Sequence, residues 1–73
     1  MTIELTLRQT QVLAFMRKFF EMNDQLPTNK AIADAFGFAS ANAADDHQRA
    51  LEARGALVRN ELGNRMFARG VQS

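Results

Sequence analysis

Cysteine, tryptophan and tyrosine are all absent from this 73-residue sequence. Without cysteine the chain has no disulfide bond, no thiolate nucleophile and no zinc site with sulfur ligands. Its one histidine, His47, would need several partners to hold a metal, and the acidic residues show no ligand spacing. We therefore expect no metal and no cofactor.

Long apolar runs are also missing. No stretch approaches the ~20 apolar residues that cross a bilayer, and the N-terminus lacks a basic segment that leads into an apolar one. We therefore expect a cytoplasmic protein without a membrane partner. Hydrophobic residues make up 47% of the chain and include six Phe, which suffices for one core. The sequence thus predicts a single domain over residues 1–73.

The chain carries little net charge, only +1 at pH 7. Its distribution is uneven. Residues 1–46 carry four Lys or Arg and six Asp or Glu, which gives −2, whereas residues 47–73 carry five Arg and two Glu, which gives +3. An arginine-rich, lysine-free C-terminal part suits contact with phosphate, although scattered arginine is also an ordinary solvated surface.

The first half of the chain predicts two helices. Thr6 and Gln9 fit a capping box, and the apolar residues that follow repeat at helical spacing, so we place helix 1 at about 7–22 and expect Met16, Phe19 and Phe20 in the core. Pro27 separates this helix from the next. Thr28 is the expected N-cap of helix 2, at about 29–36, and Gly37 suits the left-handed residue that ends it.

A third helix and a hairpin complete the chain. Ser40 is the expected cap of helix 3, at about 41–54, and Gly55 ends that helix. Two short strands around a Gly-Asn turn then form a hairpin at about 56–69. The predicted fold is α+β, mainly α: a winged helix-turn-helix with three helices and a two-stranded wing.

Helix 3 carries the residues that point to a function. At ~100° per residue, His47 and Leu51 face inward, and we expect His47 to pack against helix 2. The opposite face then presents Asn42, Asp45, Asp46 and Arg49, with Asp45 and Arg49 spaced to form an i, i+4 ion pair. Short polar side chains between alanines suit contact with base edges in the major groove. Because His47 faces inward and no other residue is placed to orient it, we expect no enzyme.

The sequence resembles the N-terminal domain of the LexA repressor family. The likeness is carried by Leu26-Pro27-Thr28, Phe36-Gly37-Phe38 and the specific run Ser40-Ala41-Asn42-Ala43-Ala44-Asp45-Asp46-His47, and it extends without a gap over nearly the whole chain. The resemblance implies contacts to DNA bases by Ser40, Asn42, Ala43, Asp45 and Asp46. It also implies backbone contacts by Thr28, Lys30, Arg49, Arg54 and, in the wing, Arg65.

The sequence departs from the family pattern in the length of two acidic side chains and in the number of basic residues. The two acids are Asp where the family often has Glu, and Ala39, Asn29 and Ala53 stand where a basic residue is common. Some backbone contacts are therefore in doubt, and the preferred DNA site can differ. The self-cleaving domain of LexA-type repressors is absent from this sequence. The chain is therefore either an excised fragment or, as we expect, a stand-alone regulator such as a phage or plasmid encodes, without self-cleavage.

Two functions remain open at this point. The first is a sequence-specific transcriptional regulator, a repressor that binds a palindromic operator as two copies, since one small domain with little net charge binds DNA weakly. The alternative is a winged-helix module that docks on another regulator as a co-repressor or antagonist, which the low net charge favours.

Overall fold

Three helices and a two-stranded hairpin make up the part of the chain that the computed structural model describes, residues 4–68. The elements are α1 (Leu7–Asn23), α2 (Asn29–Phe36), α3 (Ala41–Ala53), β1 (Leu57–Arg59) and β2 (Arg65–Phe67). The predicted winged helix-turn-helix is confirmed, with helix boundaries within one residue of those expected. The end of the predicted second strand, Arg69, lies outside the described residues.

The caps of the first two helices follow the local sequence. The hydroxyl oxygen of Thr6 accepts from the backbone of Gln9 at 3.1 Å, and the Gln9 side chain accepts from the backbone of Thr6 at 2.9 Å. Thr28 likewise accepts from the backbone N–H of Ala31 at 3.1 Å. Gly37 ends α2 at φ +70°, a left-handed conformation that glycine adopts without steric cost. All three predictions are confirmed.

The core lies where the helices meet the first strand. Its fully buried large side chains come from every one of these elements: Val12, Met16, Ile32, Leu51 and Leu57. Phe20 is 43% exposed, so the prediction that it belongs to the core is wrong. It lies in the last turns of α1, where its ring meets the ring of Phe67 edge-on at 5.8 Å and so covers the hairpin rather than the helix junction.

The corner between α2 and α3 is closed by Phe38 and His47. The backbone N–H of Phe38 donates to the carbonyl of Ala33 at 2.9 Å. The half-buried ring of His47 stacks on that of Phe38, with the centroids 5.0 Å apart. His47 therefore packs inward as expected, but its partner Phe38 lies in the turn after α2, two residues beyond the end of that helix.

The hairpin is short. Its strands pair antiparallel in the register Leu57↔Phe67, Val58↔Met66 and Arg59↔Arg65. In the turn, the side-chain oxygen of Asn60 accepts from the backbones of Leu62 and Asn64 at 2.9 and 3.0 Å. Within the predicted hairpin at about 56–69 the strands occupy residues 57–59 and 65–67, and the turn takes up residues 60–64.

Candidate nucleic-acid interface

The outer face of α3 is a stripe of short and polar side chains. Asn42, Asp46, Arg49 and Ala53 follow one another at intervals of four, three and four residues, and all four are exposed. Such spacing keeps them on one side of a helix. The opposite side is formed by Ala44, Gln48 and Leu51, which are buried. The prediction that Asn42 and Asp46 point away from the core is confirmed.

The start of α3 adds to this stripe. Ser40 occupies the N-cap position, but its side chain makes no capping hydrogen bond, so the expected capping by its hydroxyl is wrong. Ser40 lies with φ −155° between Ala39 and Ala41, and all three residues are exposed. A small, polar corner therefore leads into the exposed face of the helix, where a partner's backbone can approach closely.

Gln48 explains why the inward face of α3 differs from the prediction. It is only 4% exposed, and its amide donates to the side-chain oxygen of Asn29 at the start of α2. A buried amide is tolerated in a core when it has a hydrogen-bond partner. The buried face of α3 therefore centres on Gln48 rather than on His47. Compared with the prediction, α3 is rotated about its own axis, and Asp45 lies to one side of the exposed stripe.

Asp45 faces the hairpin, and the prediction that it is as exposed as Asp46 is wrong. Its side chain is 24% exposed, and both carboxylate oxygens are engaged. Nη1 of Arg65 lies 3.0 Å from Oδ1, and Nε of Arg49 lies 2.9 Å from Oδ2. The predicted i, i+4 pair of Asp45 and Arg49 is confirmed, whereas base contact by Asp45 stays a prediction.

Arg65 lies at the centre of an ion-pair cluster between α3 and the hairpin. Its side chain is 14% exposed, and besides Asp45 it binds Glu52 through Nε. Glu52 also pairs with Nε of Arg59 at 3.3 Å, and Nη1 of Arg59 donates to the carbonyl of Gly63 at 2.9 Å. Two wing arginines are thus held by carboxylates of α3.

The cluster changes the acidity of its carboxylates. The hydrogen bond from Arg65 lowers the pKa of Asp45 below its usual value and outweighs the opposing effect of partial desolvation. The same guanidinium lowers the pKa of Glu52, with a smaller contribution from Arg59. Both carboxylates are therefore ionised at neutral pH, and they offset the positive charge of the wing.

The other residues predicted to contact the DNA backbone lie on the surface. Thr28 and Lys30 are exposed at the beginning of α2, and Arg54 is exposed at the end of α3. The Arg49 side chain is 71% exposed on the stripe itself. Phosphate contacts by these four residues and by the largely covered Arg65 remain predictions.

Residues 4–68 contain neither a cluster of metal ligands nor a membrane-spanning helix. Within residues 4–68, no three His, Asp or Glu side chains lie close enough together to hold a metal ion. Over the same part of the chain, none of the helices combines the length and apolar character that crossing a bilayer demands.

The family model of the LexA DNA binding domain matches residues 2–66. This chain belongs to that family. The match covers all three helices and most of the hairpin, so the exposed stripe of α3 and the preceding Ser40 lie in a DNA-binding domain of the LexA type. The fold and the resemblance inferred from the sequence agree with this assignment.

Full-length LexA repressors are among the similar proteins. The LexA repressor of Dechloromonas aromatica is 46% identical over 56 residues, which are 77% of this chain and 28% of the relative. Those of an Azoarcus species and of Alcanivorax borkumensis are 45% and 51% identical over 80% and 78% of this chain, and 29% and 28% of their own lengths. The chain thus spans less than a third of these LexA repressors.

The sequence did not reveal which residues pair within the ion-pair cluster, or that Gln48 is buried with Asn29 as its hydrogen-bond partner. Asp45 and Glu52 are seven residues apart, two helical turns, and so share one flank of α3. Two acids on one flank, followed by a hairpin that carries Arg59 and Arg65, are a signal that could have indicated the cluster. No comparable pattern pointed to Asn29 as the partner of Gln48 in this LexA-type domain.

Proposed function

We propose that this LexA-type domain binds a specific double-stranded DNA sequence and acts as the DNA-binding part of a transcriptional repressor. In this proposal α3 lies in the major groove with its exposed stripe against the base edges. Ser40, Asn42, Ala43 and Asp46 contact bases. Thr28, Lys30, Arg49 and Arg54 contact the sugar-phosphate backbone.

The observation that carries the proposal is the exposed stripe of Asn42, Asp46 and Arg49 on the second helix of the helix-turn-helix. Asparagine can pair with the donor and acceptor of adenine, aspartate can accept from the amino group of cytosine, and an alanine methyl can pack on that of thymine. The half-buried Ala43 beside them leaves room for close approach.

Two copies on a palindromic operator are part of the proposal. A single domain of this kind buries on the order of 600–1,000 Å² on DNA, and much of the wing's positive charge is already offset by Asp45 and Glu52. One copy would bind weakly at physiological salt. Two copies on adjacent half-sites combine their affinities and would block a promoter more effectively.

A selection of random duplexes with the purified chain tests the proposal. We expect one enriched sequence with two related half-sites. Asn42→Ala should then reduce affinity for this site by ~1–3 kcal/mol and relax the preference at one base pair per half-site. Exposed Asn23→Ala, at the end of α1, is the matched control and should bind as the wild type does. A selection that enriches no sequence would overturn the proposed function.

The alternative, a module that docks on another regulator, has less support. A protein-docking face is typically rich in large apolar and aromatic side chains at its centre. The stripe on α3 instead carries Asn42, Asp46, Arg49 and Ala53. A salt-tolerant complex with another protein, without any selected DNA sequence, would favour the alternative.

A further inference from the structure

We propose that Arg65 of the wing masks the Asp45 carboxylate, so that Asp46 is the only acid of the pair that contacts bases. Arg65 is thereby a specificity-determining residue that acts through Asp45, rather than a phosphate contact. The inference rests on the proposed function and adds to it which side chains set the sequence preference.

The first support is the different placement of two adjacent, identical side chains. Asp46 is exposed on the stripe with Asn42, whereas the Asp45 side chain is 24% exposed and turned toward the hairpin. Successive residues of a helix are rotated by ~100° about its axis, so two adjacent side chains point in different directions. Both therefore cannot point straight into one groove. The exposed stripe passes through Asp46.

The second support is the occupancy of the Asp45 oxygens. Oδ1 receives Nη1 of Arg65 at 3.0 Å, and Oδ2 receives Nε of Arg49 at 2.9 Å. A carboxylate that contacts cytosine must offer an oxygen to the base amino group. In Asp45 each oxygen already accepts from a guanidinium, which neutralises the carboxylate, restricts access to it and weakens its attraction for a base amino group.

The third support is the position of Arg65 itself. Its side chain is 14% exposed and is bound by Glu52 as well as by Asp45. The planar guanidinium binds carboxylates through several nitrogens at once, which fixes its orientation. A phosphate contact would require Arg65 to leave two carboxylates that are mostly shielded from solvent. Masking of Asp45 requires no movement.

The test compares variants of the two aspartates in the random-duplex selection. Asp46→Ala should lower the preference at one base pair of each half-site about fivefold or more. Asp45→Ala should keep the wild-type preference at every position, because the carboxylate that it removes contacts no base. This pair of variants is matched in side chain, helix and charge. Neither variant removes Arg65, so the comparison does not depend on the stability of an Arg65 variant.

The second part of the experiment removes Arg65, the residue that masks Asp45. Arg65→Met frees Oδ1 of Asp45, while Oδ2 stays paired with Arg49. The variant should therefore create a new preference, about fivefold or more, for cytosine at one base pair. The double variant Arg65→Met/Asp45→Ala should return to the wild-type preference, which a merely structural role of Arg65 would not produce. The double variant has the wild-type net charge, so we also expect the wild-type salt dependence. Loss of a phosphate contact would instead reduce the slope of log affinity against log salt by ~0.9.

The outcomes separate the two proposals. If the wild-type chain selects a site and Asp45→Ala alters its preference as strongly as Asp46→Ala does, the masking of Asp45 is wrong and the proposed function stands. The same holds if the double variant shows the shallower salt dependence. If the wild-type chain selects no sequence, the proposed function fails and the masking fails with it.

Discussion

The side-chain amide of Gln48 in α3 donates a hydrogen bond to the side-chain oxygen of Asn29, the first residue of α2. This bond joins the two helices of the helix-turn-helix at a buried position, since Gln48 is 4% exposed. It therefore fixes the rotation of α3, which decides whether Asn42 and Asp46 face the groove.

Gln48→Met should reduce the free energy of unfolding by about 1–2 kcal/mol, because it leaves the half-buried Asn29 oxygen without its donor. Urea unfolding followed by far-ultraviolet circular dichroism measures the change. Gln11→Met on the exposed face of α1 is the matched control and should stay within about 0.5 kcal/mol of the wild type. Equal stability of the two variants would show that the Gln48 hydrogen bond contributes nothing.

Leu51→Ala should reduce the free energy of unfolding by about 2–5 kcal/mol, since it opens a cavity where α3 meets the rest of the core. Leu51 is fully buried, whereas Leu62 in the wing turn is 84% exposed. Leu62→Ala should therefore have little effect in the same urea titration. A small effect of Leu51→Ala would mean that the core has been assigned to the wrong face of α3.

Acidification should weaken the attachment of the wing to α3. The pKa values of Asp45 and Glu52 are lowered in the folded chain by Arg65, so both carboxylates stabilise the fold fully above the pKa of an unfolded acid, ~4–4.5. That contribution is lost as the pH falls through the lowered folded-state values. Thermal unfolding followed by circular dichroism between pH 7 and pH 3 should show the melting temperature falling over the acidic end of this range.

Glu52→Gln isolates the contribution of one carboxylate to this effect. The variant should melt at a lower temperature than the wild type at pH 7. The difference should shrink as the pH falls below the pKa of an unfolded glutamate, because the stabilisation that comes with the lowered pKa of Glu52 is lost on acidification. Glu21→Gln, on the exposed side of α1, is the charge-matched control. A constant difference between Glu52→Gln and the wild type across the pH range would contradict ionic attachment of the wing.

Lys30→Met should weaken binding to all duplexes alike, because Lys30 is exposed beside the N-cap of α2 and is proposed to contact phosphate. The slope of log affinity against log salt should become shallower by ~0.9 for the lost contact. Fluorescence anisotropy with a labelled duplex at several salt concentrations measures it. Lys18→Met on α1 removes the same charge and should leave the slope unchanged; an equal change in both variants would assign the effect to net charge alone.

Two copies should bind the selected duplex together. Analytical ultracentrifugation of the chain with an excess over the duplex should give a 2:1 complex, and a duplex with one half-site deleted should give a 1:1 complex of lower affinity. A strict 1:1 complex on the full site would exclude the two-copy arrangement while leaving sequence-specific binding intact.

Local chemistry explains which parts of the fold the sequence predicted. The capping box of Thr6 and Gln9, the Thr28 cap and the glycine at 37 depend on residues within three or four positions of one another, so they could be identified directly. The inward packing of His47 followed from helical periodicity. The caps thus depend on contacts close in sequence, and the orientation of His47 depends on the helical repeat.

The features that sequence reasoning missed depend on distant partners. Gln48 is polar and was not expected inside, and it is buried only because Asn29, nineteen residues earlier, accepts its hydrogen bond. Asp45 was expected beside Asp46 on the exposed face, but its carboxylate faces the hairpin and binds Arg65. Phe20 was expected in the core, but it covers Phe67 of the hairpin instead.

The brevity of the wing has a consequence for how the domain unfolds. Strands of three residues cannot form a stable hairpin in isolation, so β1 and β2 depend on α3 through Arg59 and Arg65 and on α1 through Phe67. The amides of the hairpin should therefore lose their protection against deuterium at least as fast as those of α3. A mutation in the hairpin that breaks these attachments would then loosen the hairpin from α3, the helix against which it lies.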